Sequence, residues 1–290
     1  MRAFTANGFE EREVANPLGV LVRVRYAAIC KTDALVFAGA VKSTPGVVLG
    51  HEFCGTVVEA PPGMGLEPGL LVTANPMLPV RHLGGGVPYP GTGEAMLGLS
   101  ADGAFAEYVS LPPESVAPCP PAGGREWLCA LTEPVAVALG AAEALFEAAG
   151  PTGRAGALKD DRFTRLVKAC YDRMAGEYRP MTIGEPPYDA LLGDPDDLSM
   201  AAVKDGGAVV VRSRSPKPCA LTPNTLAMRR IRLLGSRYAH EMFNGAARYA
   251  VFHPEVGADC EIHPFDELPE LIGRAYRDAN RKFIVKVCSE

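Results

Sequence analysis

The chain has no CxxC pair, no run of Lys or Arg, no apolar stretch of membrane-spanning length and no intact G-x-G-x-x-G turn. Each absence removes a class of function. The eight cysteines, at 30, 54, 119, 129, 170, 219, 260 and 288, stand singly, so neither a disulfide framework nor a paired-cysteine zinc ribbon fits, and reduced thiols are expected. Lys and Arg number 29 against 34 Asp and Glu, a formal net charge of −5, which argues against a nucleic-acid or anionic-membrane partner. A bilayer-spanning helix takes about 18–20 apolar residues. The longest candidate, Pro134–Phe146, is interrupted by Glu143. Near the N-terminus Glu10, Glu11 and Glu13 stand where a secretory signal needs an apolar core. The sequence therefore reads as a soluble, cytoplasmic protein.

What is present is an ordinary globular composition: 290 residues, 48% hydrophobic and 22% charged. At about 100–200 residues per domain, two domains are expected. The first 120 or so residues are rich in Val, Gly and Pro. Val20, Val22, Val24 and Tyr26 alternate with Leu21, Arg23 and Arg25, the period of a half-buried strand, and Val47–Leu49, Thr56–Glu59 and Leu70–Thr73 read as further short strands. Around Leu131 the pattern changes. Pro134 opens an Ala-rich run that ends at Ala149 before Gly150, as helix termini prefer. Phe163, Leu166, Val167, Cys170, Tyr171 and Met174 then form one apolar helical face. Tyr188–Leu192 and Ala208–Val211 are short apolar runs far enough apart for a crossover helix, which predicts a parallel βαβ unit. A late helix about Leu268–Ala275 and a final strand at Phe283–Val287 complete the order.

The chemistry-bearing residues lie in Ile29-Cys30-Lys31-Thr32-Asp33 and in Gly50-His51-Glu52. Cys, His and Glu are donors that zinc accepts, and a catalytic zinc takes about three protein ligands with one position left open. As residue types alone, a lone Cys and a His-Glu pair fit a buried thiol and a surface imidazole equally well.

The segments ICKTDA, PGVVLGHEFCGTVVEA, DGAFAEYV (102–109) and LTEPVAVAL (131–139), in that order, resemble the zinc-dependent medium-chain alcohol and polyol dehydrogenases. DGGAVVV (205–211) and LLGSRYAHEMF (233–243) extend the likeness toward the C-terminus. The resemblance implies an α/β fold: a β-rich GroES-like catalytic domain from residues 1–133 with 262–290, and a reduced Rossmann-like parallel-sheet domain over 134–261. It implies a catalytic zinc held by Cys30 and His51, with Glu52 as a ligand or close behind the ligands and Glu133 as a third or fourth. Glu133 precedes Pro134 at a helix N-terminus, where the dipole favours an ionised carboxylate, and a plain helix-capping role is the other reading of it. Thr32 would relay a proton between the substrate alcohol and solvent, and Asp33 would orient the ligands.

Two departures from that family are visible. Asn75–Ala101 holds no cysteine, so the structural four-cysteine zinc of many relatives is not expected. The dinucleotide site is the other. Its only glycine stretch, Ala148–Gly156 with Gly150 and Gly153, has Ala at the first glycine position and is preceded by helix instead of strand. A βαβ unit takes about 30 residues or more, and the interval from Glu133 to Tyr188 leaves too little chain for the two such units the family places there. Lys159–Leu166 resembles the family's second strand end, with Asp160 or Asp161 as the ribose-binding acid; a solvated helix N-terminus is the other reading. The resemblance thus implies zinc-dependent hydride transfer between an alcohol, polyol or sugar-type substrate and NAD or NADP, in a homo-oligomer with a small-molecule substrate. The alternative is a zinc-binding relative that has lost dinucleotide binding and serves small-molecule binding or non-redox zinc chemistry.

Overall fold

The computed structural model describes residues 1–82, 84–89, 92–176, 179–212, 221–238 and 241–288. The chain forms two compact units, Met1–Val135 with Phe243–Glu290, and Ala136–Met242. Cys219 and His240 lie outside the described residues.

The first unit opens with a hairpin, β1 (Arg2–Thr5) and β2 (Gly8–Glu11), and continues through β3 (Val20–Ala28), α1 (Lys31–Phe37), β4 (Glu52–Glu59) and β5 (Leu71–Ala74). A small pair, β6 (Met77–Leu78) and β7 (Ala95–Met96), precedes β8 (Tyr108–Leu111) and β9 (Val116–Pro118), after which the chain enters α2 (Thr132–Ala149). The second unit runs β10 (Ala155–Ala157), α3 (Arg162–Ala175), β11 (Thr182–Ile183), β12 (Tyr188–Gly193), α4 (Asp197–Ala202), β13 (Val203–Val211), α5 (Pro223–Arg229) and β14 (Arg232–Leu234). Helix α6 (Met242–Phe252) returns the chain to the first unit, which ends with β15 (Cys260–Pro264), α7 (Leu268–Arg277) and β16 (Lys282–Lys286).

In the first unit the main sheet has the order β15-β16-β3-β4-β5-β9, with β8 paired on β3. The alternation read in Val20–Tyr26 is borne out, with Val20, Val22 and Val24 fully buried. Phe4, Phe53, Phe105 and Phe283 fill the core beside them. Each such side chain contributes about 1.5–3 kcal/mol of burial. Val47–Leu49 differs from the expected strand: only Val48 bridges, to Thr5, because the chain turns left-handed at Gly46 and again at Gly50. The return to the first unit begins at Phe243, earlier than residue 262, because the turn at Pro254–Gly257 packs there, with Gly257 close against the Trp127 ring.

The second unit is a five-stranded, all-parallel sheet of order β11-β10-β12-β13-β14. The expected βαβ unit is present as β12-α4-β13. Strand β10 is only Ala-Gly-Ala, and its smallness has a cause: a Cβ on Gly156 would lie 1.9 Å from the Tyr188 ring, which crosses it from β12. The Tyr188 hydroxyl completes the contact, accepting from Glu185 N at 2.7 Å and donating to Ala157 O at 3.3 Å. Among the described residues, Glu126–Ala149 is long and apolar enough to cross a membrane, yet its most apolar 18 residues are 78% buried within the protein. It reads as a core helix.

Candidate metal centre

Strand β3 ends at Ala28 and delivers Cys30 to the start of α1; β4 begins at Glu52 with His51 just before it. Ala28 and Glu52 are direct antiparallel partners, so the sheet register itself brings the two distant segments together. Gly50 makes the approach possible. Its φ is +91°, and a Cβ there would lie 2.6 Å from the Phe105 ring. The Cys30 sulfur, a His51 ring nitrogen and a Glu52 carboxylate oxygen all lie within 4.8 Å of one another. His51 and Glu52 are buried, and Cys30 is half-buried.

Asp33 organises this cluster. It is 1% exposed, and its carboxylate accepts from Cys30 N at 2.8 Å and Gly50 N at 3.3 Å and meets His51 Nδ1 at 3.1 Å. With Nδ1 facing Asp33, the remaining ring nitrogen Nε2 is buried and has no hydrogen-bond partner. Burial alone would lower the His51 pKa, but the Asp33 carboxylate and then Cys30 outweigh it and hold the ring well above its ordinary value. A thiol, an imidazole and a carboxylate with an unpartnered buried nitrogen fit a borderline-soft divalent ion such as zinc. Thr32 is half-buried, with its hydroxyl 3.7 Å from the Cys30 sulfur.

Glu133 is not brought into this group. It is 6% exposed in the first turn of α2, in the place of a carboxylate favoured by the helix dipole, and it has interactions of its own. One residue was missed in the sequence. Lys282, 7% exposed at the start of β16, forms an ion pair with the Glu52 carboxylate. Nothing local marks it: the register that pairs Ile284 with Ala28, and Ala28 with Glu52, puts Lys282 on the Glu52 face.

The proposed dinucleotide residues are dispersed. Gly150 and Gly153 lie in the turn before β10, at the opposite end of that strand from Asp160 and Asp161, so they form no strand-to-helix phosphate turn. Gly150, at φ +69°, terminates α2, and Gly153 is required because a Cβ would lie 2.0 Å from Ala149 O. Asp160 is largely exposed and pairs with Arg165 at 3.1 Å. Asp161 caps α3, accepting from Thr164 N at 2.9 Å, and its other oxygen takes Arg212 at 2.6 Å. Burial raises the Asp161 pKa, but the Thr164 amide and Arg212 more than reverse this and leave it below the usual value. Asp196 caps α4 in the same way, accepting from Ser199 N at 2.8 Å. Both helices that follow β10 and β12 therefore begin under a carboxylate, where a pyrophosphate would meet like charge. Among the described residues, the second unit keeps an acid after its first strand and lacks the phosphate cradle.

The cysteines that the sequence left scattered stay unpaired among the described residues. Cys54, Cys119 and Cys129 are buried in the first unit, and burial pushes the Cys54 thiol well up.

Comparison with known proteins places these features. Residues 16–121 match the alcohol dehydrogenase GroES-like domain. An L-threonine 3-dehydrogenase of Symbiobacterium thermophilum is 30% identical over 265 aligned positions, covering 76% of this chain and 68% of that protein. An L-threonine 3-dehydrogenase of Xanthomonas campestris pv. campestris (strain B100) is 33% identical over 112 residues, and this match covers 36% of the chain and about a third, 33%, of that relative's length. A zinc-binding dehydrogenase of Sinorhizobium meliloti 1021, solved bound to NADP, superposes with a TM-score of 0.77 at 22% identity, covering 98% of each chain.

Proposed function

The chain belongs to the medium-chain dehydrogenase family, and from that premise we propose that it is a zinc-dependent oxidoreductase acting on a small secondary alcohol of polyol, sugar or threonine type, with NAD or NADP as the hydride partner. The observation that carries this reading is the convergence of Cys30, His51 and Glu52 on one cluster with a buried, unpartnered imidazole nitrogen. Cys30 and His51 would hold the ion, with Glu52 beside them; Glu133 is kept as a candidate further ligand.

When bound, zinc supplies Lewis-acid polarisation that lowers the pKa of an alcohol oxygen toward neutrality. The chain's own residues do the rest. Asp33 fixes the His51 ring and tethers the Cys30 and Gly50 amides, so the donors are preorganised. Thr32, half-buried beside Cys30, offers a hydroxyl that can accept a proton from substrate and pass one to solvent. Phe105, fully buried and close against Gly50, helps keep bulk water from the buried His51 and Glu52. Work in the cytoplasm suits unpaired thiols, and assembly as a homo-oligomer is the family default adopted here.

The test is metal content and turnover together. Protein purified without chelator is expected to carry one zinc per chain, lost in Cys30→Ser and His51→Ala. Supplied with NAD or NADP, it should reduce the dinucleotide in the presence of a panel of secondary alcohols and polyols. No turnover with any of them, at full zinc occupancy, would refute hydride transfer.

A second reading has its own support. The described residues do not fit a dinucleotide in the usual manner: no glycine turn follows β10, and Asp161 already serves α3 and Arg212. In that reading the zinc cluster works without a nicotinamide, in small-molecule binding or non-redox chemistry. Calorimetric titration with NADH and NADPH separates the two, since saturable binding supports the first and its absence with intact zinc the second.

A further inference from the structure

Glu52 is paired with the ammonium of Lys282 and stands beside the donors that would hold a metal ion. Both residues are buried, at 2% and 7% exposure, and they are joined in an ion pair. Breaking a buried pair by removing one partner is costly, because the remaining charge must find another counter-charge or be neutralised. A divalent ion would offer another counter-charge here, since a Glu52 oxygen already lies within 4.8 Å of the Cys30 and His51 donors. We propose that Lys282 is a positioning residue that holds the Glu52 carboxylate back from the metal and thereby decides whether Glu52 is a ligand. The inference rests on the zinc reading of the cluster and extends it to a residue from the last strand.

The geometry supports a specific restraint over a general packing role. Lys282 and Ile284 share one face of β16, and Ile284, Ala28 and Glu52 stand in one cross-strand row. The lysine thus reaches Glu52 diagonally across β3 without crossing the sheet. Its backbone is fixed independently, with Lys282 N donating to Asp259 O at 3.0 Å. The ammonium occupies a carboxylate that would otherwise turn toward a divalent cation, so the restraint acts through Glu52.

The test uses Co²⁺ alone as probe, on the full chain stripped of metal, and reads affinity and visible spectrum without any turnover. In Lys282→Met, Co²⁺ affinity is expected to rise about tenfold or more as the freed carboxylate charge joins the donors, with a change in the intensity of the d–d bands. Lys282→Arg, which keeps the charge, should retain the wild-type affinity within about twofold. In the double variant Lys282→Met/Glu52→Gln the gain should vanish. A gain that persists in the double variant, or a Lys282→Met protein with wild-type affinity and spectrum, overturns the proposal. Should Lys282→Met fail to fold, Glu52→Gln is compared with the double variant. The proposal then requires equal Co²⁺ affinity within about twofold, and a larger difference overturns it. Failure of the underlying zinc reading looks different: wild-type protein would show no thiolate-to-cobalt charge-transfer band that Cys30→Ser removes.

Discussion

Replacing Asp33 tests whether one carboxylate organises the metal cluster. Its carboxylate serves three buried groups, the Cys30 and Gly50 amides and the His51 ring. Asp33→Ala leaves all three without their acceptor. At about 1–3 kcal/mol for each unsatisfied buried donor, the loss is about 3–6 kcal/mol after partial relaxation. Against a total stability of about 5–15 kcal/mol this is a severe change. Asp33→Asn keeps the volume but has a single acceptor oxygen, and its amide group faces at least one donor, so about 1–3 kcal/mol is expected. Because the ring would no longer be held by its Nδ1 edge, Co²⁺ affinity should fall about 10- to 100-fold in Asp33→Asn. Urea unfolding of the metal-free proteins followed by circular dichroism gives the first quantity, and metal titration the second. An Asp33→Ala protein that loses less than about 1 kcal/mol, or an Asp33→Asn protein with undiminished Co²⁺ affinity, would refute the reasoning.

Gly50→Ala should cost about 2 kcal/mol or more, since it combines a left-handed φ with a Cβ 2.6 Å from the Phe105 ring; thermal unfolding reads it, and no loss would deny the close approach. Asp161→Asn keeps the cap on α3 but loses the charge facing Arg212, so a loss of about 1 kcal/mol is expected, against about 2 for Asp161→Ala. The Asp161 pKa is lower in the folded protein than in the unfolded chain, so the wild-type contribution is complete above the unfolded carboxylate pKa and is lost as pH falls through the folded one. Acid unfolding curves of wild type and Asp161→Asn should therefore converge at low pH; a constant gap would contradict this. Ile272→Ala, at a fully buried position of α7, should cost about 2–5 kcal/mol in urea unfolding.

The sequence made some elements plain for identifiable reasons. Strand β3 shows its period because one face is buried and the other meets Arg23 and Arg25, and α2 ends before Gly150 as expected, though it starts at Thr132, two residues ahead of Pro134. Strand β10 was hidden. Three small residues carry no period, and their glycine, kept small by the Tyr188 ring, looked like part of a nucleotide turn. In the candidate site, Cys30 and His51 stood out through motif resemblance, whereas their convergence depends on strand register that no local pattern encodes. Lys282 lies further out of reach still, because its role exists only through a strand added from the far end of the chain. Asp161 had two readings, and its cap and guanidinium contacts favour the helix-terminus one.

The discontinuous first unit has a consequence for biosynthesis. A ribosome makes the Cys30 and His51 segments early, then all of Ala136–Met242, and only afterwards β16. At about 5–20 residues per second, the nascent thiol and imidazole wait some ten seconds or more before the last strand docks beside β3. During that wait Glu52 has no Lys282 to hold it, so the growing chain presents a carboxylate, a thiol and an imidazole to whatever ion the cell offers. Under the restraint proposed for Lys282, metal would thus meet a freer Glu52 in the growing chain than in the finished protein.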